Sequence, residues 1–225
     1  MKIRSHLLIG FSLAAASFSL GTARADTSVP ISNPSFETLP VGGLTDGGYC
    51  GSTYSLAAIP GWTSSGASGQ FQPFSCYFTY IPDGTIVGFT NGGSISQTVG
   101  ATVTPGDVYT LTVYQGTRAD SISDGGATAD LLVNGTTQYF ATGAVASPGS
   151  WSKWTATFTG LSTQAGDSIA IELNGTGAGG AQSDFDDVSL SYTSATPEPG
   201  YLAALALGLG SLMLAVRRRS AKLGQ

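Results

Sequence analysis

Between residues 26 and 195 the apolar residues recur at every second position, in runs too short for helices and separated by Gly, Asn, Asp and Pro. Tyr109, Leu111 and Val113 share one face of such a run, with Thr110 and Thr112 on the other. Leu131 and Val133, then Trp154, Ala156 and Phe158, then Ile169, Ile171 and Leu173, repeat the pattern. A period of two gives each run one buried face, and no stretch carries a 3.6-residue period long enough for a major helix. Asn134-Gly135, between Ala129–Val133 and Thr136–Phe140, predicts a two-residue hairpin turn because both residues accept positive φ. Thr104-Pro105-Gly106-Asp107 predicts another turn, while 120–126 and 175–180 read as long polar loops. The expected fold is all-β: a single antiparallel sandwich of jelly-roll type, about eight to eleven strands, with a core that roughly 170 residues can support.

Both ends break this texture. Lys2 and Arg4 precede an apolar run from Leu7 to Leu20, and Ala23-Arg24-Ala25 has the small-x-small form of a signal peptidase site, so 1–25 is expected to be a signal peptide helix. At the other end Thr196-Pro197-Glu198-Pro199-Gly200 leads into the uncharged run Tyr201–Val216 and then Arg217-Arg218-Arg219. As a helix that run rises about 24 Å, short of the roughly 30 Å hydrocarbon core, but snorkelling arginines extend its reach and mark the cytoplasmic side. The expected division is signal peptide 1–25, ectodomain 26–195 and tail 196–225. Pro197, Glu198 and Pro199, the hydrophobic helix and the three arginines together resemble the PEP-CTERM sorting signal of Gram-negative bacteria. That resemblance implies an exosortase as partner besides signal peptidase, transient anchoring in the inner membrane, and delivery to the cell surface or extracellular matrix.

Removing both ends leaves Arg118 and Lys153 against thirteen acidic side chains, a formal charge of −11. So acidic a domain has no means of neutralising phosphates, which excludes nucleic acid as a partner and favours cations. His6, the one histidine, lies in the leader. Without it there is no Ser-His or Cys-His nucleophile pair and no HExxH zinc site, so carboxylate chemistry and oxygen ligation of a hard cation remain. Cys50 and Cys76, the two cysteines, read first as a disulfide in an exported chain, with two free thiols as the alternative.

Asn33-Pro34-Ser35-Phe36-Glu37, Ile59-Pro60-Gly61-Trp62, Ile95–Val99 and the closing Phe185-Asp186-Asp187-Val188-Ser189-Leu190 resemble, in order, the segments of galactose-binding-like jelly rolls, a group that includes many carbohydrate-binding modules. The resemblance spans most of 29–192 and departs from the group at Pro34, where Gly is usual. It implies a structural calcium held by Glu37 and Asp187 or Asp186, with Ser35 as a carbonyl donor. Strand alternation places Asp186 with Val188 and Leu190; if those face the core, Asp186 needs a buried partner, and a solvated strand end is the alternative. The aromatic residues around the cysteines form a second candidate site. Trp62, Phe71 and Phe78 are expected in the core, and Tyr49, Tyr54 and Tyr77 are expected exposed, where they would stack on sugars. The functional expectation is a non-catalytic domain that binds polysaccharide. A purely structural matrix protein is the alternative, and a glycosidase using Glu37 and Glu172 ranks third.

Overall fold

The computed structural model describes residues 25–121, 123–194 and 207–208. The expectations for the leader and for the Pro-Glu-Pro tail fall outside these residues, apart from Ala25, Leu207 and Gly208. Among the described residues no helix is long and apolar enough to cross a membrane.

The described residues form eleven strands: β1 Asp26–Val29, β2 Asp46–Gly47, β3 Thr53–Ser55, β4 Thr63–Gln72, β5 Val87–Thr102, β6 Val108–Thr117, β7 Ala127–Val133, β8 Thr137–Phe140, β9 Ser150–Thr159, β10 Ser168–Gly175 and β11 Ser183–Thr193. Every pairing is antiparallel. One layer runs β2-β3-β4-β5-β10-β7-β8 and the other β1-β11-β6-β9, and they join where Ser183–Phe185 of β11 pairs with Gly88–Thr90 of β5. The Thr104–Asp107 turn, closed by the Asp107 amide on the Thr104 carbonyl at 3.2 Å, carries the chain from one layer to the other.

The main core lies between the layers. Tyr109, Leu111 and Val113 of β6 and Trp154, Ala156 and Phe158 of β9 meet Ile169, Ile171 and Leu173 of β10, with Leu131 and Val133 of β7. These are the residues whose alternation the sequence displays, and burying each large one contributes about 1.5–3 kcal/mol. At Asn134-Gly135 both residues take positive φ, 53° and 69°. Val133 nevertheless pairs with Thr137, so the connection has three residues rather than the two expected, Thr136 being drawn into the turn.

A second, smaller core lies beyond the joint between the layers. Phe71, Tyr77, Phe78, Val87, Phe89 and Trp151 pack together, on the ends of β4, β5 and β9 and on the segment linking β4 to β5. Its rings are ordered edge to face: Phe71 on Tyr77 at 5.4 Å and Tyr54 on Phe89 at 6.4 Å, with Phe78 tilted against Trp151 at 4.6 Å. Cys50 and Cys76 are joined by a disulfide at the rim of this cluster.

A strand irregularity decides which side chains reach it. The register of β11 on β6 shifts between Asp186 and Ser189, with Asp187 at φ 45°, the signature of a bulge. Alternation therefore breaks there. Val188 and Leu190 face the main core, whereas Asp186 pairs with Tyr114 on the opposite face. The expectation that Asp186 shares a face with Val188 and Leu190 is corrected: one extra residue reverses the side on which every preceding side chain emerges. Asp184 and Asp186 consequently both point to the side of the second core, and Phe185 between them enters the first.

Candidate functional site

The second core is incompletely filled. A cavity of about 320 Å³ opens beside it, walled by Tyr54, Phe71, Tyr77 and Phe89, with Arg118 and Gln182 on its polar side. Strand pairing explains the convergence. Tyr54 pairs with Phe71, Gly69 with Phe89, and Phe89 with Asp184, so these positions form adjoining rows on one face of the sheet. Tyr77 comes from the linking segment, whose amides bond the 74 carbonyl and whose Tyr77 hydroxyl donates to the Tyr49 carbonyl at 3.2 Å.

Arg118 follows β6 directly. Its Nε and Nη2 donate to both carboxylate oxygens of Asp120, at 2.9 and 2.6 Å, and its guanidinium lies 4.1 Å from the centroid of the Tyr77 ring. The pair leaves little net charge facing the rings. Gln182 stands just before β11 and donates from Nε2 to Asp184 Oδ1 at 2.6 Å. Asp184 is completely buried, and Oδ2 has no hydrogen-bond partner among the described residues. Desolvation pushes its carboxyl up to about 7, against the opposing effects of the Gln182 hydrogen bond and the Arg118 charge. A carboxyl in that condition is a neutral acid at or below neutral pH, placed behind the wall of an aromatic cavity.

A second cavity of about 360 Å³ adjoins the first and shares Asn91, Arg118 and Gln182 with it. Its remaining wall is polar and built from the 120–126 and 175–180 loops predicted from the sequence, including Asp120, Ser121 and Ser123.

Tyr49, Tyr54 and Tyr77 all border the first cavity. Their exposures differ sharply: Tyr49 is 80 % exposed, Tyr54 is half-buried and Tyr77 only 3 % exposed. The expectation that Tyr77 is exposed is therefore corrected; its ring meets Phe71 edge to face and lies beneath the Arg118 guanidinium. Trp62, Phe71 and Phe78 are buried as expected.

Ser35, Glu37, Asp186 and Asp187 gather around the segment 83–86. Ser35 Oγ donates to Asp83 Oδ2 at 2.7 Å, and the Asp83 amide donates to Asp186 Oδ2 at 2.9 Å. Glu37 Oε1 accepts the Thr85 and Ile86 amides, both at 2.7 Å. Burial pushes Asp186 up to about 8, helped by the nearby carboxylates of Asp187 and Asp83, and its Oδ1 is buried without a partner. Among the described residues no group of three or more His, Cys, Asp or Glu side chains is arranged to hold a metal.

Phe89, Arg118, Gln182 and Asp184 escaped the sequence reading. Arg118 had a usable signal, as one of two basic side chains in the domain. Asp184 sits two residues before Asp186, the spacing of a shared strand face, but only the bulge identifies which face that is.

The family model described as "HpiC1-like: HpiC1 cyclase" matches residues 27–191. Among solved structures, the Stig cyclase Fisc from Fischerella sp. TAU, in complex with (3Z)-3-(1-methyl-2-pyrrolidinylidene)-3H-indole, is 24 % identical with a TM-score of 0.63, covering 76 % of this chain and 100 % of its own. A cyclase from Fischerella sp. TAU in complex with 4-(1H-indol-3-yl)butan-2-one is 23 % identical with a TM-score of 0.61 over the same shares. The CBM22-1 xylan-binding domain of Paenibacillus barcinonensis Xyn10C follows at 18 % identity and a TM-score of 0.45, covering 78 % of this chain and 100 % of its own. No curated protein matches the chain. The family match overturns the expectation of a non-catalytic domain. The absence of histidine had excluded the commonest nucleophile pairs, but it gave no ground for the further step to no enzyme at all.

Proposed function

Because the chain belongs to the HpiC1-like cyclase family through residues 27–191, we propose that it is a cyclase that closes a ring by protonating a flat, electron-rich substrate held in the aromatic cavity. The observation that carries this reading is Asp184, a buried acid near 7 whose hydrogen-bond partner Gln182 lines that cavity. The acid gives its proton to one carbon of a substrate double bond. The cation left on the neighbouring carbon is attacked by a second π bond of the same molecule, a carbon–carbon bond forms, and a proton lost from the ring returns to the Asp184 carboxylate. The net change is an isomerisation that consumes no oxidant, reductant or cofactor. The faces of Tyr54, Phe71, Tyr77 and Phe89 suit a transient cation, each such contact being worth roughly 0.5–2 kcal/mol. Both ligands of the Fischerella cyclases carry a flat indole ring system, in keeping with these walls.

Turnover of indole-bearing alkenes in D₂O tests the proposal. The expected product is a ring-closed isomer carrying deuterium at the protonated carbon. Asp184→Asn is expected to abolish turnover while still binding 4-(1H-indol-3-yl)butan-2-one in calorimetry; turnover retained by that variant would refute the assignment.

A second reading, polysaccharide binding, is favoured by two exposed rings, Tyr49 at the rim of the cavity at 80 % and Phe74 away from it at 53 % exposure. Retention on polysaccharide gels that vanishes in Tyr49→Ala would support it, and no retention on any gel would dismiss it. We also propose calcium in the cluster of Ser35, Glu37, Asp83, Asp186 and Asp187, where it would supply the buried Asp186 oxygen with its missing partner. Equal melting temperatures with and without chelator would contradict this. Export through 1–25 and exosortase sorting through 196–225 complete the proposal, and mass spectrometry of the mature ends from the native host tests both.

A further inference from the structure

We propose that the two adjoining cavities work as one bipartite site. The aromatic cavity takes a flat ring, the polar cavity takes an uncharged hydrogen-bond acceptor carried on a short chain from that ring, and Arg118 with Asn91 selects for it. This assignment rests on the reading of the aromatic cavity as the substrate site.

The polar cavity exists because β5 changes partners. Residues 88–90 of β5 pair with β11 and residues 93–98 with β10, and on its other side β4 slips register between Gly66 and Ser68. Asn91 and Gly92 fall between the two pairings, and Gly92 takes φ 89° there. The loops after β6 and β10 close over this gap and are laced together. The Ala178 amide and Thr176 Oγ1 both donate to the Gly125 carbonyl at 3.2 Å, and Ser183 Oγ donates to the Asp124 carbonyl at 2.7 Å. A Cβ at Gly125 would lie 2.6 Å from the Ala181 carbonyl oxygen, so this close approach requires glycine. The polar pocket is therefore formed before a ligand arrives, as small-molecule sites generally are.

Asn91, Arg118 and Gln182 line both cavities, so a substituent reaching from the ring into the polar side passes them. Arg118 Nε and Nη2 are committed to Asp120 at 2.9 and 2.6 Å. Nη1 is not: it lies 3.5 Å from Gln182 Oε1, long for such a bond. Gln182 meanwhile holds Asp184 through Nε2 at 2.6 Å. A guanidinium donates and never accepts, so Nη1 calls for an acceptor. The paired Asp120 carboxylate balances the charge of Arg118, in a domain with far more acids than bases. An anion thus finds no uncompensated positive charge, whereas a ketone or amide oxygen needs only the open donor. Asn91 is exposed, and its side-chain amide bonds to no described residue, which makes it a second donor at the same border.

Calorimetry of the full-length protein with three probes tests the assignment. The first is 4-(1H-indol-3-yl)butan-2-one. The second, 3-butylindole, has a methylene in place of the ketone, and the third, 3-(1H-indol-3-yl)propanoate, carries an anion. The ketone is expected to bind at least about tenfold more tightly than either of the others, the effect of one hydrogen bond to a charged donor. Arg118→Met is expected to bring the ketone and 3-butylindole within about threefold of each other, and Asn91→Ala to narrow their ratio by about half. Because 3-butylindole has no acceptor, its binding shows that a variant still holds a ring; should Arg118→Met lose it, Asn91→Ala at its exposed position decides. Equal wild-type affinity for the ketone and 3-butylindole, or a preference unchanged in both variants, would overturn the bipartite site and leave the aromatic cavity as the place of the ring. Propanoate bound as tightly as the ketone would overturn the uncharged class. Wild-type protein that binds none of the probes would overturn the reading of the aromatic cavity, and this assignment with it.

Discussion

Replacing Asp184 by Asn should reverse the usual sign of an active-site substitution, raising stability at alkaline pH and leaving it nearly unchanged in acid. The native carboxyl is raised from 3.8 to about 7. Between those values the folded protein holds a proton that the unfolded chain has released. Stability therefore declines as pH rises through this window, at about 1.4 kcal/mol per pH unit per proton. Across roughly three pH units the loss approaches 4 kcal/mol, the cost of carrying a buried charge at pH 8. Asparagine reproduces the neutral acid: its Oδ1 accepts the Gln182 amide as the carboxyl does, and its NH₂ stands where the hydroxyl stood. At pH 4.5 the two proteins should differ by less than about 1 kcal/mol, since an isosteric neutral pair is exchanged for another. At pH 8 the variant should be more stable by about 2–4 kcal/mol. Asp186 and Asp130, both also raised by burial, contribute the same sign of slope to both proteins. The difference between the two pH–stability curves, measured by urea denaturation, isolates Asp184. A difference that is flat between pH 4.5 and 8 would refute the claim that Asp184 is buried as a neutral acid.

Other outcomes follow from the same packing. Gly116→Ala would set a Cβ 2.7 Å from the Trp151 ring, so chemical denaturation should show a loss of about 1–3 kcal/mol, and an unchanged midpoint would mean the ring has room to move. Tyr77→Ala removes a buried ring that packs edge to face on Phe71 beneath Arg118; it should cost about 3–5 kcal/mol in urea, and a loss under about 1 kcal/mol would mean the second core closes over the gap. Reduction of Cys50–Cys76, which are 26 residues apart, should lower stability by about 3–4 kcal/mol in parallel denaturation curves with and without dithiothreitol.

The β-sandwich was legible because its main core is built from strands with one wet and one dry face, as in Tyr109-Leu111-Val113, where burial follows sequence parity. Strand β4 was not. Its first seven residues, Thr63–Gly69, contain one apolar side chain, Ala67, so hydrophobic periodicity has nothing to act on and cross-strand hydrogen bonding alone defines it. The site was half legible. The tyrosines around the cysteines were recognisable as a cluster, and 120–126 and 175–180 as long polar loops, though not as walls of a cavity. Their partners Phe89, Gln182 and Asp184 lie 12 to 130 residues from Tyr54 and Tyr77 in sequence and are brought beside them only through the register of β5 and β11. Misreading the face of Asp186 has the same origin, since a bulge adds a residue without leaving a compositional mark.

The bulge at Asp187 also divides the evolutionary obligations of one strand. From Val188 onward β11 packs into the main core, while Asp184 and Asp186 emerge on the other face, with Phe185 between them still anchored in that core. A frame offset between the two lets the carboxylate positions change by mutation while Phe185, Val188 and Leu190 keep the strand in place. One inserted residue thereby gives a continuous strand two separately heritable jobs.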